Sequence, residues 1–143
     1  MKRTSVVKVG FTALALAASV QYAFAASQAL PAVQHEGEVT FLTGGIGLGQ
    51  SAAIKEVMPT YPLTLEFAGK TASGNDYLAN VPVQVSDMHG HTVLKTTTTG
   101  PFLLASLPHG RYSVTATYNG KIKRRDVDIA PSSHVHDVFL WPM

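Results

Sequence analysis

A two-residue alternation of apolar and polar side chains, recurring from Pro62 to the end of the chain, is the feature that most constrains the fold. It is clearest between Tyr112 and Tyr118, and a turn signal follows each alternating run; Asn119-Gly120 is the strongest of these signals. Because successive side chains of a strand point to opposite faces, such runs predict half-buried strands. About seven strands at spacings of roughly 8–12 residues predict an all-β, antiparallel sandwich rather than repeated βαβ units.

A different pattern precedes these strands. A short alternating run is followed by a glycine-rich stretch at Gly44–Gly49 and by apolar residues at helical spacing between Ser51 and Met58, where Pro59 ends the helix. Since that helix has only about two turns, it needs an apolar surface to pack against. The sequence therefore predicts a flexible lead-in at 26–37, a strand, turn and short helix at 38–61, and the sandwich at 62–143.

The first 25 residues have the three parts of a secretory signal peptide. A basic head precedes an uncharged apolar stretch at Val9–Val20, and Ala23-Phe24-Ala25 supplies a small-x-small cleavage site. The apolar stretch is shorter than a membrane-spanning helix requires. We therefore expect cleavage between Ala25 and Ala26 and a periplasmic or secreted protein without a membrane span. An uncleaved N-terminal anchor is the alternative.

Removal of this segment changes the charge of the chain. The whole sequence has 11 Lys and Arg against 9 Asp and Glu, a net charge of +2. Lys2, Arg3 and Lys8 lie in the signal segment, so eight basic residues remain against nine acidic ones and the net charge becomes −1. That balance does not favour nucleic-acid binding. The absence of cysteine excludes disulfides, thiolate metal sites and cysteine nucleophiles.

The stretch from Gly100 to Ala116 resembles a known pattern. It is similar to the G-x-F-x-x-x-x-L-P-x-G-x-Y-x-V core of carboxypeptidase regulatory-like domains, which belong to the transthyretin-like (prealbumin-like) sandwiches. The preceding strand at Val81–Val85 and the following Asn119-Gly120 hairpin have the family's order. The resemblance implies a seven-stranded Greek-key sandwich in a small exported bacterial form, and an accessory role is typical of such domains. The matching positions are Gly100, Phe102, Leu107, Pro108, Gly110 and Tyr112.

These motif residues also have a physical interpretation. Gly110 permits the turn through which Tyr112 re-enters the sheet, and Pro108 fixes the approach to that turn. We expect Phe102, Leu107 and Tyr112 to anchor the core between the two sheets.

Two histidine pairs are candidate metal ligands. His89 and His91 form one pair, and His134 and His136 form the other. On a strand, residues at i and i+2 point to one face with β-carbons about 7 Å apart, close enough to share a metal ion. Without cysteine the site would suit Cu(II), Zn(II) or Ni(II). The alternative is that all four are surface residues of a turn and a strand start.

Two further patterns indicate structure rather than binding. The glycines after the first strand lack the spacing and the βαβ context of a dinucleotide loop, so we expect a tight turn that lets the short helix cover the sandwich. The basic cluster at Lys121–Arg125 is followed by Asp126 and Asp128. We interpret it as a charged hairpin that discourages edge-to-edge pairing.

Trp141, the single tryptophan, shares a strand face with Phe139. If both side chains point outward, they form an aromatic platform suited to sugar rings or to a partner surface. The preferred interpretation is that they pack under the N-terminal helix, because that helix needs an apolar surface.

Catalytic signatures are missing from the sequence. It contains neither G-x-S-x-G nor H-E-x-x-H, and it ends in Leu140–Met143 instead of the Tyr-Arg-Gly-Ser-type tail of transthyretin-like 5-hydroxyisourate hydrolases. We therefore predict a protein that is not an enzyme and has no catalytic or cofactor-binding residues. It would act in the periplasm as a structural or accessory module or bind an unknown protein partner. A metal- or glycan-binding module is the alternative, and a transthyretin-like hydrolase is the third possibility.

Overall fold

The computed structural model describes residues 30–143. The predicted signal peptide and its cleavage site lie outside these residues. Within them the chain forms two β-sheets that enclose a core, with one short helix on the outside. The prediction of an all-β fold with two sheets and one helix is confirmed at this level.

Ten strands are present in residues 30–143, where seven were predicted for the sandwich. In chain order they are β1 (Gln34–Glu36), β2 (Val39–Gly44), β3 (Leu63–Thr71), β4 (Gly74–Tyr77), β5 (Pro82–Asp87), β6 (Thr92–Thr97), β7 (Phe102–Ser106), β8 (Gly110–Tyr118), β9 (Lys121–Ile129) and β10 (Val135–Pro142). Helix α1 (Leu48–Val57) runs into one 3-10 turn (Met58–Thr60) that contains Pro59. The short strands β1 and β4 were not predicted, because they are defined by backbone pairing and not by an alternation of apolar residues.

Strand order places the N-terminal segments inside the sandwich. Sheet A has the order β1-β2-β7-β3-β10, with β4 paired to the second half of β3, and sheet B has the order β6-β5-β8-β9. Strand β2 therefore lies between β1 and β7, and β1 lies in the segment that was expected to be a flexible lead-in. Residues 34–44 are part of the sandwich because their backbone groups pair with β7 and with each other.

One strand pair departs from the predicted antiparallel arrangement. Strands β3 and β10 run parallel, with Leu63 opposite Val135 and Lys70 opposite Pro142. The other pairs in the described residues are antiparallel. The prediction is wrong for β10 because alternation shows which face a side chain takes and not the direction of the partner strand.

The core between the sheets contains the aromatic residues of β3 and β10. Phe67, Phe139 and Trp141 are at most 1% exposed, and their ring centroids lie 5.6 to 6.5 Å apart. The indole N–H of Trp141 donates to the carbonyl of Lys121 at 3.0 Å, so the buried polar atom is satisfied. The side chains of Phe139 and Trp141 therefore point inward, into the core between the sheets. They form no outer platform, and they do not lie under the helix.

Helix α1 packs on the outer face of sheet A instead. Its one buried residue, Ile54, forms a second apolar cluster with Leu42, Phe102 and Leu104. Phe102 was expected between the sheets, and this expectation is wrong, because the pleat of β7 sends it to the helix side. No helix in residues 30–143 is long and apolar enough to cross a membrane.

Charged side chains close both open sides of the sandwich. On one side, Glu36 Oε2 accepts the N–H of Lys95 in the edge strand β6 at 3.1 Å. On the other side, Arg125 Nη2 donates to the carbonyl of Val138 at 3.3 Å, and the guanidinium carbon lies 5.4 Å from the ring centroid of Phe139. Edge strands that are covered by charged side chains resist pairing with a second chain.

Candidate functional site

The glycine loop, residues 44–49 between β2 and α1, is held in place by hydrogen bonds around Thr43. Thr43 Oγ1 donates to the carbonyl of Phe102 at 2.8 Å and accepts the N–H of Thr99 at 3.3 Å. The hydroxyl of Thr99 donates in return to the carbonyl of Thr43 at 2.9 Å. Thr43 is only 4% exposed, so its bond to Phe102 is shielded from water, and the three bonds together join the end of β2 to the turn before β7.

Close backbone approach explains the glycines at this junction. A β-carbon at Gly100 would overlap the backbone of Gly44, and one at Gly45 would overlap the ring of Phe102. Gly45 also has a φ of +108°, a conformation that side chains with a β-carbon rarely adopt. Its N–H donates to Gln50 Oε1 at 2.7 Å. The motif residue Gly100 therefore permits the close approach of the turn before β7 to the start of the glycine loop, a role that the sequence did not indicate.

The held loop presents apolar side chains to solvent. Ile46 is 64% exposed and Leu48 is 92% exposed. Tyr77, 58% exposed, packs on Phe102 with ring centroids 5.9 Å apart, and Phe102 also borders Gly45. We call Ile46, Leu48 and Tyr77 the apolar tip. The sequence analysis treated this stretch only as a turn, and two large aliphatic residues among its glycines were the available signal.

The first histidine pair lies in the turn between β5 and β6. Asp87 Oδ1 accepts the N–H groups of His89 and His91, each at 2.9 Å. The hydrogen bond from the N–H of His91 lowers the pKa of Asp87; desolvation opposes it, and the bond from His89 lowers the pKa further. The two imidazole rings are exposed and lie 6.3 Å apart, and His91 Nδ1 is 3.6 Å from Asp87 Oδ2. The carboxylate holds the turn together through backbone N–H groups.

The second pair lies at the start of β10. His136 Nε2 is hydrogen-bonded to Glu66 Oε2 at 2.9 Å on the outer face of sheet A. His134 lines a small surface cavity of about 270 Å³ together with Tyr61 and Ser133. The sequence analysis did not connect Glu66 with His136, because 70 residues separate them and only the parallel pairing of β3 with β10 makes them neighbours.

The structure does not assemble these histidines into one metal centre. In the part of the chain that the structure describes, no three His, Asp or Glu side chains form a group that could hold a metal ion. A site that joined His89 and His91 to His134 and His136 would be such a group. Metal binding by either pair alone stays a prediction.

An acidic cavity of about 420 Å³ opens between the sheets near the β1–β2 turn. Glu36, Glu38 and Asp87 line it, together with the motif residues Pro108 and Tyr112. Burial raises the pKa of Tyr112, and the charges of Asp87 and Glu38 raise it further. The Tyr112 hydroxyl donates to the carbonyl of Pro108 at 2.7 Å. The tyrosine hydroxyl therefore stabilises the turn at Pro108–Gly110 that the motif predicted. Tyr112 and Leu107 also belong to the main core, as expected.

Comparisons with known proteins give similarity to solved structures only. No protein-family model matches the chain, and no curated protein matches it. A 5-hydroxyisourate hydrolase from Klebsiella pneumoniae is 23% identical, covers 55% of this chain and 89% of its own, and has a TM-score of 0.42. The Bacillus anthracis TIE protein is 18% identical, covers 57% of this chain and 16% of its own, and has a TM-score of 0.40. At these TM-scores the matches do not assign a function to this chain.

The first match corrects one prediction. The sequence predicted a protein that is not an enzyme, and this is contradicted because a solved structure to which the chain is similar is an enzyme. That prediction relied on missing motifs, whereas one fold can carry both catalytic and non-catalytic functions. It is not retained.

Proposed function

We propose that this protein is an exported, transthyretin-like sandwich of the carboxypeptidase regulatory-like kind that binds a protein partner through its apolar tip. The motif from Gly100 to Ala116 supports the family, and the pattern of residues 1–25 supports export to the periplasm. The observation that carries the binding function is the exposure of Ile46 and Leu48 on a loop that hydrogen bonds hold at both ends.

The energetics favour this interpretation of the loop. Burial of an exposed Leu or Ile side chain stabilises a complex by about 1.5–3 kcal/mol. A loop that is already ordered loses little conformational entropy on binding, so more of this free energy remains as affinity. Tyr77 adds an aromatic side chain of the type that is enriched in binding hot spots.

Affinity capture with matched variants tests the proposal. Protein expressed as the full chain is immobilised as the native form, as I46S/L48S, and as I122S. Ile122 is a suitable control because it is 68% exposed but lies on β9 of sheet B. We expect a periplasmic protein that is enriched by the native form and by I122S but not by I46S/L48S.

The captured protein is then purified and its affinity measured. Loss of two buried aliphatic contacts should raise the Kd at least about 100-fold, which corresponds to roughly 3 kcal/mol. Equal affinities for the native form and I46S/L48S would contradict the proposal, as would an equal loss in I122S.

A further inference from the structure

The outer face of sheet B carries a row of polar side chains that crosses all four strands. Lys95 lies opposite Gln84, Gln84 lies opposite Thr115, and Thr115 lies opposite Arg124. Directly opposite residues point to the same side of a sheet, so these four side chains share one face. With strands about 4.8 Å apart, the two basic residues stand roughly 14 Å apart at the ends of the row.

A groove of about 390 Å³ lies along this row. Its floor is formed by hydroxyl and amide side chains together with a proline ring, and the residues on this face that line it are Pro82, Gln84, Lys95, Thr97, Thr115 and Thr117. Gln84 Nε2 donates to Thr92 Oγ1 at 2.9 Å, which orients the amide. Each threonine hydroxyl can donate one hydrogen bond and accept two. The floor therefore combines groups that donate and accept hydrogen bonds with threonine methyl groups and the Pro82 ring.

The charged residues in and beside the groove indicate the kind of ligand that it could bind. No carboxylate is among the residues that line the groove. Lys95 is one of the lining residues, and Arg124 lies beside the lining, on β9 opposite Thr115. Arg124 Nε lies 3.8 Å from Asp126 Oδ1, and both side chains are largely exposed. An exposed pair at this distance interacts weakly, so Arg124 remains available to an anion. A groove without carboxylates, with one basic residue in its lining and a second beside it, fits a chain of hydroxyl-bearing units that carries negative charges.

The surroundings of the groove distinguish a glycan from a peptide. The backbone groups of β5 and β8 are paired on both sides, so a peptide cannot add to this face as another strand. Hydroxyl and amide groups match the hydroxyls of sugars, while threonine methyls and the Pro82 ring suit the C–H faces of sugar rings.

We propose that this groove binds an acidic glycan, a chain of sugars that carry carboxylate groups. The proposal is independent of the apolar tip, because the groove lies on sheet B and the tip lies at sheet A. It would provide the protein with a second contact, to a polysaccharide, beside its protein partner.

Calorimetry with defined probes tests the proposal on protein expressed as the full chain. The probes are a galacturonate hexasaccharide, the neutral maltohexaose, and a poly-glutamate peptide. We expect the galacturonate chain to bind more tightly than the other two. The variant T115V/T117V keeps the shape of both side chains and removes both hydroxyls, and it should weaken binding about tenfold through the loss of two hydrogen bonds. The variant T115S/T117S keeps the hydroxyls and loses the methyl groups, and it should bind more tightly than T115V/T117V.

Charge is tested separately. K95Q/R124Q should weaken binding of the galacturonate chain and reduce its dependence on salt. K55Q/K70Q removes the same amount of charge from helix α1 and β3, and it should leave the affinity unchanged. Fluorescence of the buried Trp141 reports whether each variant is folded.

Several results would overturn the proposal. They are no heat from the galacturonate chain, native affinity in T115V/T117V, or equal binding of maltohexaose. Binding of poly-glutamate as tight as that of the glycan would show an acidic peptide as the ligand.

Discussion

Thr43→Val is expected to destabilise the protein by about 2 kcal/mol. The substitution replaces a hydroxyl by a methyl group at nearly constant volume and removes two hydrogen bonds. The carbonyl of Phe102 loses a buried donor, and a buried group left without its partner costs about 1–3 kcal/mol. The N–H of Thr99 adds less, because Thr99 is exposed and water can replace its acceptor.

Urea unfolding and thermal unfolding measure this effect. A loss of about 2 kcal/mol lowers the Tm by roughly 8 °C in a domain of this size. Thr40→Val is the matched control, because Thr40 lies half-buried in the same strand. Its unfolding free energy should stay within about 0.5 kcal/mol of the native value. Amide exchange at Gly45 should become faster in Thr43→Val and not in Thr40→Val.

Equal losses of stability in both valine variants would contradict this prediction, as would a loss below about 0.5 kcal/mol in Thr43→Val. Either result would mean that the hydrogen bonds around Thr43 do not hold the glycine loop. If the loop is held as described, Thr43→Val should also weaken capture of the partner by the apolar tip.

Three further predictions follow from single contacts. Ile54→Ala should lower the free energy of unfolding in urea by about 2–5 kcal/mol, because Ile54 is the buried residue of α1. The control Leu48→Ala should be nearly neutral, since Leu48 is exposed. Equal losses in the two variants would contradict docking of the helix on sheet A. Backbone N–H groups lower the pKa of Asp87 from its ordinary value of 3.8, so its stabilising effect is present above that pH and is lost as the pH falls through the lower folded-state pKa. Asp87→Asn should therefore flatten the acid side of the stability curve, and an unchanged curve would argue against the turn. Trp141 should fluoresce as a buried indole and resist acrylamide until the protein unfolds, and ready quenching in the native state would contradict its place in the core.

Part of the candidate site was predictable and part was not. The histidine pairs and the motif residues were visible in the sequence, since short spacings and turn residues are local signals. The contact between His136 and Glu66 and the bond from Thr43 to Phe102 join residues 70 and 59 positions apart. Such contacts depend on strand order, and no local pattern records strand order.

The glycine loop is a second feature whose role depends on contacts between distant segments of the chain. Its composition predicted a turn, which is a local property of the backbone. Its exposure of Ile46 and Leu48 depends on which face of sheet A the helix covers. Its start is held by Thr99 and Gly100 in a distant turn. A turn and a binding surface are therefore indistinguishable in this stretch of sequence.

The sequence by itself determined the two-sheet β fold, the helix ended by Pro59, and the hairpin at Asn119-Gly120, where both residues have positive φ. These features arise from the period of side chains along the backbone and from the conformations that proline and glycine allow. Only the tertiary structure decided that β10 runs parallel to β3, that Trp141 lies in the core, and that Phe102 lies under the helix. Alternation divides a strand into two faces, but the partner that covers each face is set by packing between distant segments.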